Sequence, residues 1–158
     1  MKYVVAILSI VFHCTPIIYE QKEAVVTHHA KGTFDVKVIP QPADDPAGGP
    51  FARLFLDKHF HGDLDGPSKG QMVAAGTAVE GSAGYVALEQ FTGTLAGRSG
   101  SFILQHNGKM RKGEATMAVT VVPDSGTDQL VGLAGTMTII IEGGKHSYDF
   151  EYTLESSR

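Results

Sequence analysis

The chain has 158 residues, a length that one domain accounts for and that allows burial of roughly 70% of the unfolded surface. Thirteen Lys and Arg against seventeen Asp and Glu give a net charge of -4, so the basic footprint of a nucleic-acid-binding protein is absent. The single cysteine, Cys14, excludes an internal disulfide and a multi-cysteine zinc site.

The amino-terminal residues 1–26 differ in character from the rest of the chain. Lys2 precedes an apolar run, residues 3–12, that loosely resembles an export signal but is too short to span a bilayer. The single basic residue and the lack of a small-x-small cleavage site argue against export. We therefore expect residues 1–26 to be an extension of a cytoplasmic protein, with export as the alternative, and residues 27–158 to form one domain.

Eight runs of residues alternate with period two between turn signals, which predicts strands rather than helices. The predicted strands cover about 28–39, 51–61, 68–79, 85–95, 101–110, 115–122, 135–142 and 145–154. A loop with four prolines, residues 40–50, separates the first two strands, and Gly143-Gly144 predicts a primed hairpin turn before the last. These mostly short connections predict an all-β fold, a closed eight-stranded antiparallel up-and-down β-barrel, with a two-layer sandwich as the alternative.

Several ordered motifs resemble a known bacterial family. They include Phe60-His-Gly-Asp-Leu-Asp-Gly66, Gly97-Arg-Ser-Gly-Ser-Phe102, Val122-Pro-Asp-Ser-Gly126 and Tyr148-Asp-Phe-Glu-Tyr152, together with segments 30–37, 68–70, 84–85, 104–106 and 132–137. Over about residues 27–154 the chain resembles the domain-of-unknown-function family 3224 (DUF3224), except that His59 stands where a Gln is expected. The resemblance implies a barrel similar to that of allene oxide cyclase, and it assigns no activity.

Strand parity selects the candidate residues for chemistry inside the barrel. In the fourth strand Tyr85, Glu89 and Phe91 share one face. If that face is inward, desolvation would raise the pKa of Glu89 and make it a candidate general acid or base. The alternative is that Glu89 points to solvent while Val86 and Leu88 form the core.

Two further strands supply aromatic and imidazole groups. His106 shares a face with Phe102 and Leu104 and is the second candidate catalytic residue. Tyr148 and Tyr152 share the aromatic face of the last strand and, with Tyr85 and Phe91, are candidate ligand-binding residues. A core or rim histidine with no mechanism is the alternative for His106.

The His59-x-His61 spacing can place two imidazoles on one metal ion, but a third protein ligand is not visible in the sequence. We therefore predict no metal site and no cofactor. The favoured function is the binding of a small apolar or amphipathic molecule in the barrel. The alternatives are a cyclase- or isomerase-type enzyme using the same cavity, and a filled structural barrel. Apolar residues on both faces of the second and seventh strands predict a covered outer face, by a second subunit of a homo-oligomer or by the amino-terminal segment.

Overall fold

A computed structural model describes residues 26–42 and 49–154. Within them eight antiparallel strands close into a barrel in chain order. The strands are β1 His28–Pro40, β2 Phe51–Gly62, β3 Leu64–Gly76, β4 Ala83–Leu95, β5 Arg98–Arg111, β6 Glu114–Val121, β7 Leu133–Glu142 and β8 Lys145–Leu154. The predicted barrel is confirmed, whereas the predictions for residues 1–25 and for most of the proline-rich loop lie outside the described residues.

The third strand begins four residues earlier than the turn signals predict. The main-chain N–H of Lys31 donates to the Asp63 carboxylate at 2.8 Å, and the Asp63 N–H donates to the Lys31 carbonyl at 3.1 Å. These two bonds tighten the β2–β3 connection, so Leu64 already lies in the sheet and is completely buried. The glycines at 62 and 66 therefore flank a tight turn and the start of a strand rather than a long loop.

Two-residue turns set the register of the later hairpins. Gly143 and Gly144, with φ of 56° and 77°, form the predicted primed turn between β7 and β8. A similar turn at Ala96 and Gly97, with φ of 49° and 80°, precedes β5. Exposed Arg98 therefore belongs to β5, which begins three residues earlier than the predicted bound at 101.

The barrel interior is filled at one end, which we call the closed half. Its aromatic rings form a continuous series of contacts with centroids 5.1 to 5.8 Å apart. The series runs through Phe34, Phe60, Phe91, Phe102, Phe150 and Tyr152. A 3-10 turn, Asp128–Leu130, in the β6–β7 connection places completely buried Leu130 against this end. The closed half is thus a close-packed core.

The other end of the interior is less filled, and we call it the open half. Inward-facing Val36, Met72, Tyr85 and Ile139 are only partly buried there, and Met117 is 41% exposed. These side chains lie toward the β3–β4 and β7–β8 turns. The wall is also lower on one side, because β1 continues to Pro40 whereas its recorded pairing with β8 stops at Phe34.

The β6–β7 seam is the thinnest part of the wall. The recorded register of these fully described strands has one pair, Thr120 with Thr136, whereas β5 and β6 pair over eight positions. Near the closed end the β6–β7 connection instead bonds to β5, where the Ser101 N–H donates to Thr127 Oγ1 and the Ile103 N–H to Ser125 Oγ. The barrel is closed there partly by a loop.

Candidate functional site

A buried ionic group separates the closed and open halves. Four neighbouring strands each direct one polar side chain inward: Lys58 from β2, Ser68 from β3, Glu89 from β4 and His106 from β5. The Glu89 carboxylate lies at the centre. Lys58 Nζ donates to its Oε2 at 2.6 Å, and Ser68 Oγ donates to its Oε1 at 2.7 Å. The Tyr85 and Glu89 face of β4 is therefore the inward one, and Val86 and Leu88 are exposed.

Glu89 is ionised in this surrounding. Burial on its own raises the carboxyl pKa, but the contacts with His106, Lys58 and Ser68 outweigh it and lower the pKa to about 2. The expected upward shift is therefore wrong, because the sequence did not reveal the cation beside the carboxylate. A carboxylate with so low a pKa is a poor general acid or base near neutral pH. It is well suited to hold and orient its neighbours.

Lys58 is the cation of the pair and is almost as deeply buried as Glu89. Its Nζ lies 4.9 Å from the centroid of the Phe34 ring and 5.8 Å from that of Phe60. Aromatic faces attract an ammonium ion at such distances. The side chain keeps 6% of its exposure. Lys58 also lines a cleft of about 920 Å³ that runs around the low part of the wall beside β1. The ammonium group is thus buried but lies close to solvent.

His106 carries the one buried side-chain polar atom that has no hydrogen-bond partner among the described residues. Its Nε2 is 3.1 Å from Glu89 Oε2, but the two groups are not aligned as a hydrogen bond. Buried polar atoms are normally satisfied, so an exception calls for an explanation. An imidazole nitrogen in this position is able to bind a polar group of a ligand or to exchange a proton with it.

Tyr85 is the predicted ligand-binding residue that lines the open half. Its hydroxyl donates to the Met117 sulfur at 2.9 Å across the interior. The ring lies against β5 at Gly108, where an added Cβ would overlap it. Burial, with the nearby Glu89 charge, raises the pKa of Tyr85, so the phenol is protonated. Tyr85 therefore presents a fixed apolar surface with one polar end.

The other three predicted ligand-binding residues lie in the closed half. Phe91 and Tyr152 belong to the series of ring contacts. The Tyr148 hydroxyl accepts the main-chain N–H of Leu64 at 2.8 Å, which ties β8 to β3. Burial raises the pKa of Tyr148, so the phenol is protonated too. Of the six predicted site residues, the structure brings together Tyr85, Glu89 and His106.

The sequence prediction missed Lys58 and Ser68. Each of them faces the same side of its strand as the buried residues. Lys58 lies between Leu56 and Phe60 on β2, and Ser68 lies between Gly66 and Gly70 on β3. A lysine on the apolar face of a strand is a signal in itself, because charged residues are rarely buried unless paired. Parity could therefore have predicted the partner of Glu89.

The family comparison agrees with the fold. The profile described as "Protein of unknown function (DUF3224)" matches residues 30–152. The crystal structure of a protein with unknown function from the DUF3224 family of Shewanella oneidensis MR-1 is 47% identical in sequence and superposes with a TM-score of 0.78. The match covers 84% of this chain and 100% of that one.

No curated protein matches the chain. Within the described residues, no helix is long and apolar enough to cross a membrane. With the family profile matched over most of its length, the chain belongs to the DUF3224 family, a family of unknown function.

Proposed function

We propose that the protein binds one small, largely apolar molecule with a single polar group in the open half of the barrel. The observation that carries the proposal is the buried Nε2 of His106, which lies 3.1 Å from Glu89 Oε2 beside the Lys58–Glu89 pair but makes no aligned hydrogen bond. Apolar walls with a few placed polar groups are the usual composition of small-molecule sites.

The chemistry of the buried group indicates the polar end of the ligand. Glu89 already neutralises the Lys58 ammonium, so the site does not require a fully charged ligand. A carbonyl or hydroxyl oxygen could accept a hydrogen bond from Lys58 or His106 without adding an unpaired charge. Above it, Tyr85, Met72 and Met117 would contact the apolar body, and thioether side chains adapt to different shapes.

A pair of tryptophan substitutions tests where the ligand binds. Met72→Trp fills the open half, whereas Val73→Trp adds the same group to the outer face one residue further along β3. The probe is 6-propionyl-2-(dimethylamino)naphthalene, an uncharged apolar dye whose carbonyl oxygen can accept a hydrogen bond. We expect Met72→Trp to lower dye binding at least several-fold and Val73→Trp to leave it near wild type.

Folding of both variants is checked by circular dichroism. Equal binding by the two folded variants, or no binding by the wild type, would overturn the proposal. Native mass spectrometry of protein purified from its own host identifies a retained molecule.

An isomerase- or cyclase-type activity in the same cavity is the second candidate. The His106–Glu89 contact favours it, because an ionised carboxylate 3.1 Å from an imidazole can orient it for proton transfer. In that case His106, and not Glu89, moves the proton. Conversion of the retained molecule to a product of equal mass, lost in His106→Asn but not in Val73→Trp, is the expected result.

The remaining predictions concern the protein's surroundings. A filled structural barrel would account for the closed half but not for the open one. For a second subunit, the outer face offers Val73 and Val86, which pair directly across β3 and β4 and are both exposed. Light scattering of the purified protein tests for a homo-oligomer. The cytoplasmic location, with export as the alternative, stays a prediction from residues 1–26.

A further inference from the structure

The outer face of the β1–β2–β3 sheet gathers two imidazoles and two carboxylates. His59 and His61 project outward from β2, with ring centroids 4.8 Å apart. Asp35 lies opposite His59 on β1, and Asp65 is the second residue of β3. The four side chains are separated by the sheet from the buried Lys58–Glu89 pair.

The ligand atoms are already close together. His59 Nε2 is 3.8 Å from Asp65 Oδ1, and His61 Nε2 is 3.0 Å from Asp35 Oδ2. One ligand atom from each of His59, His61 and Asp65 fits within a mutual distance of 4.8 Å. Zinc–ligand bonds of about 2.1 Å at tetrahedral angles place ligand atoms roughly 3.4 Å apart. Small rotations of exposed side chains would therefore bring the three atoms onto one ion.

We propose that His59, His61 and Asp65 bind a divalent transition-metal ion, with Zn²⁺ as the representative. Alternation along β2 places both imidazoles on one face, and the tight β2–β3 turn supplies the third ligand that the linear sequence did not show. Two imidazoles and one carboxylate form a set that occurs in zinc and non-haem iron sites. Asp35 adds a second carboxylate at the same place.

The site would keep coordination positions for water or another ligand. Three protein ligands on Zn²⁺ leave the fourth position open, as in catalytic zinc sites. His59 and Asp35 also line the cleft of about 920 Å³ beside β1. A small oxygen-donor molecule in this cleft is the class of ligand that such an ion would take.

Calorimetric titration of the full, untagged chain with ZnCl₂ tests the proposal. We expect one ion per chain. His59→Gln and Asp65→Asn should each lower the Zn²⁺ affinity by more than the roughly 10–100-fold that loss of an outer-sphere partner costs. The matched control is His29→Gln, which removes an exposed imidazole lying 2.8 Å from Asp149 and 3.7 Å from Glu151. Its affinity should equal that of the wild type.

Paramagnetic Co²⁺ provides a second measurement. Its NMR shifts should be largest around residues 59–65 and small around residues 28–29. The proposal is overturned if the wild type does not bind Zn²⁺, if the His59 and His29 variants lose affinity equally, or if the Co²⁺ shifts are centred elsewhere in the chain.

Discussion

The ionised state of Glu89 has a measurable consequence for stability. In the folded protein its pKa is about 2 against an ordinary 4.5, which corresponds to about 3 kcal/mol of folding free energy at neutral pH. Because the folded pKa is the lower one, this stabilisation is fully present above about pH 4.5 and is lost as the pH falls toward 2. By about pH 3 more than half of it should have gone.

Glu89→Gln keeps the shape of the side chain and removes its charge. The Lys58 ammonium, 2.6 Å away, is then buried without a counter-charge, a change that costs roughly 3–5 kcal/mol in other proteins. We expect a loss of that size at pH 7. Lys58→Met combined with Glu89→Gln should be more stable than Glu89→Gln alone, because no unpaired charge is then buried.

Urea unfolding followed by far-ultraviolet circular dichroism measures these free energies, since the chain has no tryptophan to report by fluorescence. Glu114→Gln, at an exposed position on β6, is the matched control and should change stability by less than about 0.5 kcal/mol. The difference between wild type and Glu89→Gln should shrink between pH 7 and about pH 3. A loss below about 1 kcal/mol at pH 7, or a difference that does not change with pH, would refute the assignment of a buried ion pair.

Two further substitutions probe the walls of the barrel. Gly108→Ala should displace the Tyr85 ring and cost more than about 1 kcal/mol, whereas Gly76→Ala, where an added Cβ contacts nothing within 4 Å, should be nearly neutral. Equal effects in urea unfolding would contradict the packing of Tyr85 on β5. Tyr148→Phe leaves the buried Leu64 N–H unsatisfied and should cost about 1–3 kcal/mol. A thermal denaturation curve identical to that of the wild type would show that this bond is not important.

The fold could be predicted because it depends on local patterns. The last strand was placed at its observed bounds, since period-two alternation of aromatic residues and a Gly-Gly turn define both ends. The start of β3 was misplaced because it depends on hydrogen bonds between Asp63 and Lys31, which are far apart in the sequence. Local composition carries no information on such contacts.

The site was harder to predict, for a related reason. Period-two alternation shows which residues of β4 and β5 share a face, and it identifies Glu89 and His106 as candidate residues. It does not show which face of each strand is inward. The pKa of Glu89 depends on Lys58, which lies 31 residues earlier in the chain. Asp35 lies 24 residues before His59 and was concealed in the same way, whereas Asp65 lies only four residues after His61 and is brought beside the imidazoles by the tight β2–β3 turn. Groups of residues from neighbouring strands become visible only once the register is known.

At the β6–β7 seam this barrel resembles a rolled sheet whose two edge strands are joined at a single residue pair. Closing a barrel normally removes the free strand edges that attract other chains. Here the single pair of Thr120 with Thr136 leaves most of both strands without a recorded partner on that side. On β7 this edge carries Ile140 and Ile141, 39% and 61% exposed, with Glu142 as the first charge after them. Edge protection on this side of the barrel therefore depends on a few side chains of β6 and β7.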